Sequence, residues 1–366
     1  MPKRLIRYAV VGLGHIAQVA VLPAFGNARR NSRLAAVVSG DPVKREAMKK
    51  TYGLEKAYAY EEYDRCLASG EIDAVYIALP NHLHREYAER AARAGVHVLC
   101  EKPMALDEAD CESMAAAARV AGVKLMVAYR LHFERANLEA IETARSGRIG
   151  EPRLFNSTFV TPVVPGNIRV RRETGGGVLW DIGIYCINAA RSLFSDEPVE
   201  VGCTTVGRHD EIEESVSAWL RFPNERLATF TASFGAAKVS AYRLVGTKGD
   251  LAVDPAYEYA KPLKHRLTID GEQRERRFAK RDQFAPELLY FSDCILQNRD
   301  PEPSAEEGLA DVRVIRALYR SAESGRPVAL APFAKRTRPS LEQEIRRPPI
   351  DKPQVVRAQA PSGAGG

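Results

Sequence analysis

Through the first third of the chain, short apolar runs alternate with stretches whose apolar positions recur every three or four residues. Ile6–Val11, Leu34–Val38, Asp73–Leu79, Val96–Cys100 and Lys124–Ala128 are compact and scarcely interrupted by charge. Between them, His15–Ala28, Val43–Tyr52, Leu83–Ala94 and Asp107–Ala121 have helical spacing, and Gly95 and Gly122 follow the last two. Apolar strands of this kind are buried on both faces, so the alternation predicts βαβ units around a doubly wound parallel sheet. This α/β domain is expected over residues 1–125.

The pattern then changes. Arg153–Thr161, Val199–Val206, Ser215–Phe222, Leu227–Phe234 and Val239–Val245 are rich in β-branched and aromatic residues. Asn224-Glu225 and Gly246–Asp250 stand between such runs, as hairpin connections do. With helices over Pro286–Gln297 and Glu306–Ser324, residues 126–333 read as an α+β domain. Its sheet is expected to be large, open and mainly antiparallel. Beyond Pro332 five prolines and a closing Ser-Gly-Ala-Gly-Gly predict a disordered or extended tail, 334–366. No internal repeat is present.

Composition narrows the class. The chain has 366 residues, 45% hydrophobic and 27% charged, which suits two globular domains. No run of about 18 apolar residues would span a membrane. Met1–Ile6 leads straight into a strand without a signal core, so a cytoplasmic protein is expected. The net charge is +6, but residues 335–366 alone carry seven Lys or Arg against three carboxylates. A body so close to neutral offers no nucleic-acid face, and the basic tail reads as solvated. Cys66, Cys100, Cys111, Cys186, Cys203 and Cys294 form no CxxC pair, which fits a reducing compartment better than zinc or a disulfide framework.

The candidate chemistry begins at Val10-Val11-Gly12-Leu13-Gly14-His15-Ile16-Ala17, between the first strand and the first helix. This is the G-x-G-x-x-A form of the dinucleotide fingerprint. Gly12 serves the tight turn, and Gly14 lets backbone approach a pyrophosphate at the helix N-terminus. Leu13, His15 and Ile16 complete the loop. At the end of the second strand, Ser39 stands where NAD sites usually carry an acid, followed by Gly40, Asp41, Lys44 and Arg45. A hydroxyl with Lys44 or Arg45 attracts a 2′-phosphate that a carboxylate would repel, so NADP is favoured over NAD. Asp41, placed before Pro42, suits a helix N-cap. Leu79, Pro80, Asn81 and His84 end the next strand and are expected to line the cofactor crevice. The His82-x-His84 pair lacks a third ligand nearby, and no metal is expected.

Two further segments carry reactive groups. Cys100-Glu101-Lys102-Pro103-Met104 ends a strand, where a cis Pro103 would fix Lys102 at the strand end. A surface lysine on a turn is the plainer alternative. Gly175-Gly176-Gly177-Val178-Leu179-Trp180-Asp181-Ile182-Gly183-Ile184-Tyr185 enters a helix on which Asp181 and Tyr185, four apart, share a face. Here the alternative is an N-terminal acid with a core tyrosine.

With these segments in the order GLGHIA, LPNHLH, CEKPMA and GGGVLWDIGIY, the chain resembles the glucose–fructose oxidoreductase / inositol dehydrogenase / rhizopine-catabolism oxidoreductase family over about residues 4–333. The resemblance implies that Lys102 lies beside nicotinamide and substrate, with Glu101 and Trp180 also in the cofactor's surroundings. It assigns Asp181 to orienting substrate and Tyr185 to acid/base work. Arg130 would contact substrate or nicotinamide, or serve in a structural ion pair. Tyr185, where many members have His, points to the glucose–fructose oxidoreductase branch. So do Val127–Arg130 and Glu306–Arg313. That branch implies tightly held NADP(H), and the family implies a homodimer or homotetramer formed through the second sheet. The chain departs from the branch in lacking an N-terminal arm. It also places Arg169, Arg171 and Arg172 ahead of the glycines, either for an acidic substrate or as surface.

The chemistry suits these residue types. Oxidising a carbinol requires a base within about 3 Å of the hydroxyl proton. A phenol, with an ordinary pKa near 10, becomes such a base when an ammonium group favours its ionised form. The expected activity is therefore NADP-dependent oxidation of an aldose at its anomeric carbon to a lactone. If the cofactor stays bound, a second sugar must reoxidise it. The alternatives are a dehydrogenase or reductase of a cyclic polyol or keto-sugar with exchangeable cofactor, and, more remotely, a non-catalytic NADP-binding regulator.

Overall fold

A computed structural model describes residues 4–207, 212–335, 337–351 and 353–363. Met1–Lys3, Arg336, Lys352 and Ala364–Gly366, which entered the reading of the termini, lie outside the described residues. The chain divides into two compact units, each built from separated stretches. The first takes the chain up to Arg130 together with Arg281–Leu309 and Ile345–Ala360. The second takes Leu131–Lys280, Ala310–Glu344 and the residues from Pro361.

The first unit holds a six-stranded sheet made of β1 (Ile6–Val11), β2 (Ser32–Val38), β3 (Lys56–Tyr58), β4 (Ala74–Ile77), β5 (His97–Glu101) and β6 (Leu125–Ala128). Its order is β3-β2-β1-β4-β5-β6, with every pair parallel. This is the doubly wound order, in which ligands sit outside the carboxyl ends of the strands where the order reverses, at β1 and β4. Tyr8, Ala9, Val10 and Val11 of β1 are fully buried. Burying Val10 or Val11 contributes roughly 1.5–3 kcal/mol each, which is why a polar interruption is not tolerated there. β3 was missed in the sequence because three residues, one of them an exposed lysine, carry no period.

The helix that begins at His15 is α-helical only in part: Ala17–Val21 form a widened π turn, and helix ends by Ala24 rather than Ala28. Pro23 supplies the reason. It has no N–H to donate and its ring crowds the carbonyl four residues back, a conflict that a wider turn relieves. The helix Ala285–Gln297, expected to close the second domain, belongs to the first unit. Ser292 Oγ lies 2.8 Å from both Tyr8 Oη and Ser32 Oγ, and Asn31 Nδ2 donates to the Leu289 carbonyl at 2.8 Å.

The second unit is built on nine strands: β7 (Pro152–Val160), β8 (Glu200–Val206), β9 (Ser215–Phe222), β10 (Arg226–Ser233), β11 (Val239–Gly246), β12 (Gly249–Val253), β13 (Leu263–Ile269), β14 (Glu272–Phe278) and β15 (Val328–Ala329). Their order is β14-β13-β12-β11-β7-β10-β9-β8-β15. β7 and β10 are parallel and the other pairs antiparallel. Asn224 and Glu225, both at positive φ, turn β9 into β10. On β9, buried Val216, Ala218, Leu220 and Phe222 alternate with outward Ser217, Trp219 and Arg221. The inner face packs on the helix Ile184–Phe194, where the Phe194 and Phe222 rings lie 4.9 Å apart. The outer face leaves Leu154 and Leu227 exposed. β13 and β14 escaped sequence reading because their charge hides the strand pattern. β14, six of whose seven residues are exposed, protects the sheet edge from further pairing.

Beyond residue 333 the chain is extended, with a single short helical turn at Leu341–Gln343 among the described residues. It is not merely solvated. Arg338 pairs with Glu197 at 2.8 Å, Glu344 with Arg135 at 2.6 Å, and Arg347 Nε donates to the Asn27 carbonyl at 3.1 Å.

Candidate functional site

The glycine loop is pinned between two strand ends. Gly12 N–H donates to the Val38 carbonyl at 2.9 Å. Gly12 has φ +96°, and a Cβ there would lie 2.5 Å from the Ala78 carbonyl oxygen. A side chain is excluded both by conformation and by contact. At Gly14 a Cβ would meet nothing within 4 Å, so the loop opens outward at that residue. Leu13 is buried, while His15 and Ile16 are half-buried at the start of the helix. The buried Gln18 amide donates to the Leu13 carbonyl at 2.9 Å and holds the loop from below. A turn closed tightly behind and open in front is what a pyrophosphate requires.

The end of β2 resolves the competition between Ser39 and Asp41. Asp41 is the N-cap of the helix Pro42–Tyr52: its Oδ1 accepts from Val43 N–H at 2.9 Å and Lys44 N–H at 3.3 Å. Burial opposes ionisation, but those two N–H groups, Arg357 and the Lys44 ammonium hold the Asp41 carboxyl below its usual range. Ser39 is buried, and its carbonyl accepts from Arg45 Nη1 at 2.5 Å. Gly40 is exposed beside the Tyr60 ring. The hydroxyl and the cations stand where the sequence places a 2′-phosphate, and the carboxylate is committed to a helix end. These groups fit an NADP-type dinucleotide.

At the ends of β4 and β5, His84 is fully buried. Its Nδ1 lies 2.8 Å from the Pro103 carbonyl and its Nε2 2.9 Å from the Leu79 carbonyl. His84 thereby ties the Leu79-Pro80-Asn81 loop to the Lys102-Pro103 turn, whose peptide is cis. Burial keeps His84 below its usual pKa, against the pull of the two carbonyls. Its companion His82 lies on the short turn Asn81–Leu83, and no metal-capable cluster of His, Cys, Asp and Glu occurs among the described residues. Lys102 is half-buried at the end of β5. Behind it, Glu101 accepts from Tyr76 Oη at 2.8 Å, and burial raises its pKa against the opposing charges of Lys102 and Arg130. Arg130 is buried and donates to Gln283. Both oxygens of the fully buried Glu287 lack a hydrogen-bond partner. Glu287 carries no local signal, since it lies in a helix remote from every motif.

The second unit supplies Asp181 and Tyr185. Gly177 has φ +135°, and a Cβ there would lie 2.7 Å from Tyr319 Oη and 2.9 Å from Glu213 Oε1. Leu179–Gly183 form a π turn that passes into the helix Ile184–Phe194, so the two residues straddle a change of helical pitch. Asp181 Oδ2 accepts from Arg169 Nε at 2.8 Å. Of the three arginines before the glycines, Arg169 is therefore neither a surface residue nor a free anion binder. Tyr185 is half-buried with its ring 5.6 Å from that of Phe159 and 5.9 Å from that of Tyr257. Trp180 is buried, 5.8 Å from Tyr319 between ring centres. Glu213 Oε1 accepts from Tyr319 Oη at 2.6 Å and from Leu179 N–H at 3.1 Å, and burial raises its pKa. Glu213 and Tyr319 were invisible in the sequence. One lies in an acidic run that reads as solvated, the other in the apolar pattern of a long helix.

A buried network anchors the helix that carries Tyr185. Arg191, fully buried, reaches Asp311 Oδ1 at 2.5 Å and Glu197 Oε2 at 2.6 Å. Asn188 bridges Asp311 and His132, at 2.9 and 2.8 Å. Removing one partner from such a set leaves an unpaired buried charge and costs about 3–5 kcal/mol.

The chain matches known proteins along most of its length. The family described as "Oxidoreductase family, NAD-binding Rossmann fold" matches residues 6–129, and the GFO/IDH/MocA C-terminal domain matches residues 138–252. A D-xylose 1-dehydrogenase [NADP(+)] of Haloarcula marismortui is 32% identical, over 89% of this chain and 93% of its own. The structure of an aldose-aldose oxidoreductase from Caulobacter crescentus is similar with TM-score 0.85 and 40% identity, covering 89% of this chain and 100% of that one. A 3-ketoreductase from Actinomadura kijaniata in complex with NADP and TDP-benzene follows with TM-score 0.80 and 28% identity, covering 87% and 98%.

Proposed function

Because the chain belongs to the GFO/IDH/MocA oxidoreductase family, we propose that it is an NADP-dependent sugar oxidoreductase acting on the anomeric carbon of an aldose. The product is the lactone, NADP(H) stays on the protein, and a second sugar is reduced in return. The observation that carries the cofactor assignment is the end of β2, where Asp41 is committed to capping while Ser39, Lys44 and Arg45 remain for a 2′-phosphate. The aldose assignment is supported by the 40% identity to an aldose-aldose oxidoreductase along its entire chain.

Bound nicotinamide supplies the hydride-accepting carbon. The chain supplies the rest. Tyr185 Oη takes the proton of the substrate hydroxyl and returns it in the reductive half-reaction. Asp181, its charge balanced by Arg169, accepts a hydrogen bond from a neighbouring sugar hydroxyl and fixes the ring. Lys102 donates to oxygen from the end of β5, with Glu101 as its counter-charge. Leu13, Gly14, His15, Ile16, Gly40, Leu79, Pro80, Asn81 and Trp180 complete the cofactor's surroundings. Arg130, bound to Gln283, supports the site from within the first unit.

All six cysteines are unpaired, and no helix among the described residues is long and apolar enough to cross a membrane. The unpaired cysteines support a cytoplasmic enzyme. The outer sheet face with Leu154, Trp219 and Leu227 is the surface through which copies pair into a dimer or tetramer.

The deciding experiment is purification without added cofactor, denaturation, and identification of any released nucleotide. Stoichiometric NADP(H), with turnover of paired aldoses in the absence of free cofactor, is expected. An empty protein that turns over single polyols or sugars with added NADP would instead favour the exchangeable dehydrogenase.

A further inference from the structure

The stretch Ile345–Ala360 belongs to the first unit, although more than two hundred residues separate it from β6. Specific bonds hold it there. Asn27 Nδ2 donates to the Pro348 carbonyl at 2.9 Å. Further along, Val356 N–H donates to Gln18 Oε1 at 2.7 Å, while Gln18 Nε2 donates to the Val356 carbonyl at 3.0 Å. One side-chain amide thus reads both backbone groups of Val356, as a neighbouring strand would. The same Gln18 Nε2 supports the Leu13 carbonyl of the glycine loop. Gln18 is 1% exposed, so its end of these bonds is sheltered from water and the attachment is not an incidental surface contact.

The next residue, Arg357, has φ +47° and reaches toward the end of β2. Its Nη1 lies 3.7 Å from Asp41 Oδ1, and its side chain is 63% exposed. An exposed pair at that distance adds little to stability. Its position matters more. In this strand order the adenosine ribose rests at the end of the second strand. There Asp41, even while capping a helix, remains a negative charge that opposes a 2′-phosphate.

We infer that Val356-Arg357 is a strap completing the adenosine 2′-phosphate site, in which Arg357 offsets Asp41 and presents its guanidinium to the phosphate. This inference rests on the NADP assignment above and adds a specificity-determining residue to it. Ser39, Lys44 and Arg45 form one side of the phosphate site, and Arg357 forms the other. A guanidinium carries five donors in a planar fork, so it can engage Asp41 and still offer N–H groups to an incoming phosphate. The tether through Gln18 joins the strap to the glycine loop.

Adenosine 2′,5′-bisphosphate and AMP differ only in the 2′-phosphate and serve as probes. Full-length nucleotide-free protein is titrated with each by calorimetry, beside NADP+ and NAD+. The wild type should prefer the bisphosphate at least tenfold. Arg357→Ala should lose about tenfold in affinity for the bisphosphate and NADP+, with AMP and NAD+ unchanged or tightened. Arg357→Lys should recover part of the loss. Val356→Pro, which removes the N–H held by Gln18 but leaves the arginine, should weaken the same ligands. Melting temperatures should match the wild type for the Arg357 variants, because that side chain is exposed. If the wild type does not distinguish the two probes, the NADP assignment itself fails. If it does, and Arg357→Ala keeps the full preference or weakens both probes equally, the strap is overturned while the NADP assignment stands.

Discussion

Arg169 and Asp181 form an ion pair of 2.8 Å, and the Arg169 carbonyl accepts from Gly177 N–H at 2.9 Å. One residue therefore fixes both the carboxylate assigned to the substrate and the glycine turn that leads into its helix. The side chains are only partly exposed, at 24% and 19%, so solvent does not fully screen the pair. Arg169→Ala should lower kcat/KM about tenfold, and Asp181→Ala about a hundredfold. The double variant should be no worse than Asp181→Ala alone, because the arginine acts through the aspartate. Steady-state kinetics on the four proteins measure the coupling, and Arg169→Lys should restore part of the loss.

Tyr185→Phe removes only the phenolic oxygen and keeps the ring contacts with Phe159 and Tyr257. Turnover should fall by about 10²–10⁴, with nucleotide binding and melting temperature retained. Near-normal turnover would remove Tyr185 from the acid/base role.

His265, on β13, is 5% exposed with its ring centre 4.6 Å from that of Phe278 and its Nε2 unpartnered. Burial, and to a smaller extent Arg276, push its pKa down to about 4, against Glu139 and the Ala136 carbonyl. The folded protein then binds fewer protons than the unfolded chain between the ordinary value of about 6.5 and that depressed value. Stability contributed by neutral His265 is complete above about pH 6.5 and is lost as pH falls toward 4, by about 3 kcal/mol. Urea midpoints between pH 7.5 and 4.5 should fall more steeply for the wild type than for His265→Leu.

Glu287 has the opposite sign. Burial first, then the charge of Glu101, raise its pKa well above the carboxylate range, with Arg130 opposing. The folded state favours the protonated carboxyl, so stability declines as pH rises from the unfolded value upward. Glu287→Gln keeps the shape without the charge. It should stabilise the protein by roughly 1–3 kcal/mol at pH 8, with the gain shrinking toward pH 4. Thermal melts at both pH values give the comparison.

The parallel sheet was legible because its strands are buried on both faces and written almost wholly in apolar residues, as Ile6–Val11 shows. Asp41 was legible as a cap because Pro42 follows it. What stayed hidden depends on contacts made across long sequence separations. Nothing local marks Ser292 as the partner of Tyr8 and Ser32, or Glu213 as the support of Leu179. Gln18 looks like an ordinary helix residue until Val356 arrives to meet it. β14 was unreadable for another reason: its alternating charges serve to discourage further strand pairing.

The three-part composition of the first unit bears on its biogenesis. During synthesis the six strands emerge within the first 128 residues, but the helix Ala285–Gln297 that engages β1 and β2 follows much later. Ile345–Ala360 is the last of its three parts to emerge. The nascent sheet must wait on the ribosome without the partners that Ser292 and Leu289 give to Tyr8, Ser32 and Asn31 while Leu131–Lys280 of the second unit is made. Folding of the first unit therefore waits until Leu131–Lys280 has been made, and a ribosome stalled at residue 280 would display a nucleotide fold still open on one face.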